Sequence, residues 1–141
     1  MLKSINPILN GTLLSILDDM GHGNEIVIGD CNFPSASLAQ RYVDMPAVTA
    51  PALLDAILSV FPLDDFVEMP AAVMAASDEV QPLYQEFSRS LNAAEGRQVG
   101  VETLDPAVFI ARTKEAYAVV ASGERRLYGN IILRKGVIRP S

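Results

Sequence analysis

Short apolar runs rich in β-branched residues alternate along this chain with segments whose apolar residues recur every three to four positions. The first pattern belongs to strands, the second to amphipathic helices. Where the two alternate, successive strands are joined through helical crossovers, which favours parallel neighbours with helices over the sheet. The expected fold is α/β: a single three-layer domain over residues 1–141, with a largely parallel central sheet flanked by helices.

The elements can be placed one by one. "TLLSILDDMG" sets Leu13, Leu14, Leu17 and Met20 on one helical face, and Gly21 falls where a left-handed residue ends a helix. "EIVIGD" follows as a strand ending at Asp30. A second strand is expected at "AVTA", before a helix opened by Pro51 that carries Leu53, Leu54, Ile57, Leu58 and Phe61, with Pro62 as its stop. The unbroken apolar stretch Ala71 to Ala76 reads as a strand buried on both faces. Ser77 and Asp78 cap the next helix, Pro82 lies in its opening turn and Gly96 closes it. "VGVETL" is a further strand, and Asp105-Pro106 opens the helix "AVFIARTKEA". "AYAVVAS" and "NIILRKGVI" are the last two strands; joined by "GERRLYG", they are suited to pair antiparallel.

Composition narrows the function classes. Half of the residues are hydrophobic and the net charge is −6, so the chain can build a core and would repel a phosphate backbone. No nucleic-acid partner is expected. The most apolar window, residues 45–63, is broken by three prolines and Asp55, so no membrane span is expected. The N-terminal stretch lacks a signal-peptide pattern, and Cys31 is the lone cysteine. These features fit a soluble, cytoplasmic protein. Phosphate loops, nucleophile elbows and two-histidine zinc spacings are missing.

What remains is a small polar set at element boundaries: His22, Asp30, Arg112, Tyr128 and Asn130. His22 is the single histidine, on the glycine loop "GHG" before the first strand. An imidazole can take and return a proton near neutral pH. The plain alternatives are a surface imidazole near a helix C-terminus, an Asp30 that only bonds the next turn, ordinary turn residues in "LYGN", and a snorkelling Arg112.

In order and spacing, "MLKSINPILN", "DDMGHGNEIVIGDCNFPS", "VMAA" and "GERRLYGNIILRKGV" resemble the bacterial sugar mutarotase family of ribose pyranase and L-fucose mutarotase. The resemblance is strongest at the two ends of the chain. It implies cofactor-free interconversion of the anomers of a free monosaccharide. His22, Asp30 and Tyr128 match the family's catalytic positions, and Arg112 and Asn130 its sugar-binding ones. In the ribose branch of that family a second histidine sits close to what is Pro106 here; this chain has none, and with Arg112 it resembles the fucose branch. Asn24 departs from that branch, where an aspartate is usual. Ring-shaped decamers with sites at subunit boundaries are implied too.

Mutarotation moves one proton off the anomeric hydroxyl and another onto the ring oxygen, opening the ring to an aldehyde that closes on its other face. On this reading His22 shuttles the proton and Asp30 holds its tautomer or acts opposite it. Tyr128 polarises the ring oxygen, while Arg112 and Asn130 hold hydroxyls. Ribose pyranase activity and sugar binding without turnover are the alternatives.

Overall fold

The computed structural model describes residues 1–141. Helix α1 (Gly11–Asp19) leads into β1 (Glu25–Gly29), the short helix α2 (Ser35–Leu38), β2 (Tyr42–Met45) and α3 (Ala50–Leu58). Next come β3 (Ala71–Met74), a single 3-10 turn at Asp78–Val80, α4 (Gln81–Glu95), β4 (Val101–Leu104), α5 (Pro106–Glu115), β5 (Ala118–Ser122) and β6 (Ile131–Arg134).

The strands form one sheet in the order β2-β5-β1-β6-β3-β4. Period-two alternation sends neighbouring residues to opposite faces. Ile26, Ile28, Ala118, Val120, Ile131 and Leu133 join one core with residues of α1, α3 and α4. Val27, Ala72, Val119 and Ile132 join a smaller core under α5, centred on the fully buried Phe109. Burying such a phenylalanine stabilises the fold by about 1.5–3 kcal/mol. The three layers are as expected.

The sheet departs from the expected order in one respect. Pairings β1–β5, β2–β5 and β3–β4 are parallel, but β6 runs antiparallel to both of its neighbours, β1 and β3. The last two strands do not pair with each other, because β1 lies between them. Residues 123–130 form no tight hairpin turn; they cross the exit end of β1 instead, and Cys31 N–H donates to Glu124 O at 2.8 Å. Ile26, Val27 and Ile28 have no exposure at all, which suits a strand paired on both edges and covered on both faces.

Smaller differences have local causes. The second strand is Tyr42–Met45 and not "AVTA", since Pro46 stops the ladder and Thr49 becomes the N-cap of α3, its Oγ1 accepting from Ala52 N–H at 3.4 Å. Gly21 does not end α1 in a left-handed conformation. Met20 leaves the helix in extended geometry, and Gly23 takes the positive φ of 87°. Prolines 51, 82 and 106 do lie in the first turns of their helices, and Gly96 closes α4 at φ 67°. No helix is long and apolar enough to cross a membrane.

Candidate functional site

The loop entering β1 is tied down by its own backbone and by the strand beside it. Gly21 N–H donates to Asn24 Oδ1 at 2.7 Å, and Gly23 N–H to Lys135 O at 2.8 Å. Lys135 Nζ reaches Leu17 O and Met20 O at 2.6 and 2.5 Å, covering carbonyls left open at the end of α1. Asn24 therefore closes the loop and does not touch the imidazole.

That contact belongs to Asp64, from the stretch between α3 and β3. His22 Nε2 lies 3.0 Å from Asp64 Oδ1, and the Phe66 ring meets the imidazole edge to face at 4.8 Å. The Asp64 side chain is 1% exposed against 39% for His22. Its other oxygen accepts from Arg134 Nε at 2.8 Å, and Oδ1 also accepts Phe66 N–H at 3.0 Å. Burial works against the Asp64 charge, but the bonds from Arg134, Phe66 N–H and His22 outweigh it and hold the carboxyl below its usual range.

At the other end of β1 a second polar group assembles. Asp30, 4% exposed, accepts Asn32 N–H on Oδ1 at 2.8 Å and Gly129 N–H on Oδ2 at 3.1 Å. Asp30 N–H donates in turn to Asn130 Oδ1 at 2.8 Å. One carboxylate and one amide thus hold the "YGN" turn against the end of β1. Tyr128 sits there in the left-handed region, at φ 60° and 39% exposed. Such a conformation is uncommon for a residue with a side chain and persists only where its surroundings fix it.

Tyr84, on α4, supplies part of that support. Its hydroxyl donates to Met74 O at 2.6 Å and lies 3.2 Å from Tyr128 O. Burial, with smaller contributions from Tyr128 and Asp30, pushes the Tyr84 phenol up to about 12, so it stays a donor. Glu124, nearly buried, holds Arg126 through Oε1 at 2.9 Å, and Arg126 also reaches Glu86 on α4. A groove of about 350 Å³ opens over this end of the sheet, lined by Asp30, Phe33, Met74, Leu127, Tyr128 and Asn130 among others. That volume lies in the range of small-molecule sites.

Acid should loosen both ends. Burial opposes the Glu124 charge, but Arg126 and backbone N–H groups outweigh it, so this carboxyl too is held below its ordinary value. Carboxyls depressed in the folded state add stability that is complete above their unfolded values, 3.8 and 4.5, and is lost as pH falls through the folded ones. Melting temperature is expected to be flat from neutral pH to about pH 5 and to fall steeply below about pH 4. A Glu124→Gln variant should show a shallower fall in the same thermal scans.

The five residues expected from the sequence form two groups within one chain. Asp30, Tyr128 and Asn130 meet at the exit of β1. His22 and Arg112 stand on the entry side, where Arg112 bonds Glu102 at 3.2 Å and pairs with Glu25, the first residue of β1. Five residue steps of strand, about 16 Å, separate Glu25 from Asp30. Asp30 is thus no partner of His22 in its own chain. Sequence reasoning missed Asp64, Arg134, Tyr84 and Glu124. For Asp64 the one signal was a pair of acids in "LDDF" after an apolar helix; Tyr84 left none.

The chain is similar in sequence and in fold to known proteins. The profile of the RbsD / FucU transport protein family matches residues 3–138. A fucose mutarotase of Homo sapiens is 42% identical over 146 residues, covering 97% of this chain and 94% of that protein. The fold is similar to the crystal structure of the fucose mutarotase in complex with L-fucose from Streptococcus pneumoniae, with a TM-score of 0.92, 38% identity and coverage of 98% and 100% of the two chains. It is less similar to Bacillus subtilis RbsD complexed with D-ribose, at a TM-score of 0.75 and 26% identity over 99% and 100%. Matched along nearly its whole length, the chain belongs to the RbsD / FucU family.

Proposed function

We propose that this protein is a cofactor-independent mutarotase that interconverts the α and β anomers of L-fucose. The observation that carries the reading is full-length likeness to fucose mutarotases at 38–42% identity, in a chain that keeps a partly exposed imidazole and a left-handed tyrosine beside a sugar-sized groove. D-ribose is the weaker candidate, since the ribose-bound relative is the more distant in sequence and in fold.

In this mechanism His22 takes the proton of the anomeric hydroxyl. The C1–ring-oxygen bond opens, and the ring oxygen takes a proton from Tyr128. Rotation about the C1–C2 bond and reversal of both transfers give the other anomer. Asp30 and Asn130 hold the turn that presents Tyr128. Arg112 serves a sugar hydroxyl through the guanidinium N–H groups that Glu25 and Glu102 leave free.

The two polar groups lie too far apart in one chain to hold a single sugar ring. In the assembly we infer, His22 of one copy faces the Asp30 and Tyr128 groove of the next, in a ring-shaped decamer closed by repeated heterologous contacts. The exposed Leu127, Phe66 and Met69 supply apolar surface for such contacts. A reducing, cytoplasmic setting suits the exposed free thiol of Cys31.

Saturation-transfer NMR between the anomeric signals tests the function directly. The protein is expected to accelerate exchange in L-fucose well beyond D-ribose. Faster exchange in ribose would move the assignment to the pyranase branch, and measurable sugar binding with no acceleration of any aldose would leave a binding protein.

A further inference from the structure

We infer that Asp64 is the positioning residue of His22: it accepts the Nε2 proton, so that Nδ1 is the nitrogen that exchanges a proton with the sugar. The inference rests on the reading of His22 as the proton shuttle. A neutral imidazole carries one N–H and one lone pair, and an ionised carboxylate can only accept. Whichever nitrogen faces such a carboxylate must therefore hold the hydrogen.

Three donors converge on Asp64. Arg134 Nε at 2.8 Å and Phe66 N–H at 3.0 Å accompany His22 Nε2 at 3.0 Å, around a side chain with 1% exposure. A protonated Asp64 would oppose one of them with a hydrogen of its own. The carboxyl is accordingly held in its charged form, and the depressed titration described above agrees with this. Arg134 balances the Asp64 charge, so the carboxylate is paired whether or not the ring carries a second proton.

The neighbouring acid cannot take this role. Asp65 is engaged by Arg139 through two bonds of 2.8 and 3.0 Å, and that guanidinium lies over the Phe66 face, 5.2 Å from its centre. Phe66 in turn stands edge-on to the imidazole. The ring is thus fixed by a hydrogen bond at Nε2 and by a T-shaped contact with Phe66. Nδ1 has no partner in the chain, and the ring borders an open cleft of about 510 Å³ with Pro62, Lys135 and Ile138. In turnover the Nδ1 lone pair accepts the anomeric proton, giving a doubly protonated ring beside Asp64, and Nδ1 returns that proton when the aldehyde closes. Nε2 keeps its hydrogen throughout.

With a single histidine in the chain, the ¹⁵N spectrum of histidine-labelled protein holds one imidazole. Solid-state spectra of the assembled wild type are expected to show a protonated Nε2 and an unprotonated Nδ1, with L-fucose shifting Nδ1. Asp64→Asn should lower kcat for L-fucose by about a hundredfold or more and change KM by about twofold at most. A proton on Nδ1, a sugar-induced shift confined to Nε2, or wild-type kcat in Asp64→Asn each overturns the proposal. Should that variant fail to fold, the wild-type spectra decide alone. The sugar-free spectrum reads the tautomer without any activity, so a wild type that accelerates no aldose is recognised as a failure of the mutarotase reading.

Discussion

Anomer exchange that neither His22→Ala nor Tyr128→Phe supports alone is expected to return when the two variants are co-expressed and purified as mixed assemblies. Each substitution by itself removes one of the two proton carriers and should slow turnover by about 10² to 10⁴. Both side chains are 39% exposed, so neither change should move the melting temperature by more than a degree or two. In a randomly mixed ring with sites shared between neighbours, about a quarter of the sites combine an intact His22 with an intact Tyr128. Saturation transfer on the mixture should then approach about a quarter of wild-type activity. A site built within one chain can never recover, because each chain carries one defect, and a silent mixture of well-assembled hybrids would remove the shared-site reading.

Asp30→Ala should behave in the opposite manner, losing stability and activity together. Removing the carboxylate orphans the buried N–H of Gly129 and takes the partner from the N–H of the exposed Asn32. A buried orphaned donor costs about 1–3 kcal/mol and the loss of the half-exposed bond about 0.5–1.5, so the variant should be less stable by about 1.5–4.5 kcal/mol. Denaturant midpoints would read this as a large shift at unchanged slope. The turn that holds Tyr128 in its left-handed conformation loses its anchor in the same step, so the fraction that remains folded should also fail in anomer exchange. An Asp30→Ala protein of wild-type stability would mean that the turn is held by Tyr84 and Glu124 alone.

Helix positions were legible in the sequence because proline and glycine punctuate them: Pro51, Pro82, Pro106 and Gly96 all stand where their chemistry requires. Which strands pair was much less legible. "NIILRKGVI" has the same apolar character whether it joins an edge or the centre, and only its contacts with Ile26–Ile28 and Ala71–Val73 reveal the inverted strand in the middle. The loop positions of His22, between glycines, and of Tyr128, before one, were legible from the backbone chemistry of their neighbours. Asp64 was not, because 42 residues separate it from His22 and nothing local marks a carboxylate that will be buried. Arg112 shows the converse: its residue type suits a sugar binder, and its glutamate partners on β1 and β4 come from distant parts of the chain.

The inverted strand also dictates when the fold can exist during synthesis. β2, β5 and β1 make one half of the sheet and β3 and β4 the other, and only β6 hydrogen-bonds to both. Because β6 follows all the others in chain order, a chain that ends before residue 131 carries two half-sheets with facing unpaired edges. Long-range closure of this kind is slow and leaves strand edges open to wrong partners. Truncation before Ile131 should therefore yield aggregates instead of a weakened enzyme.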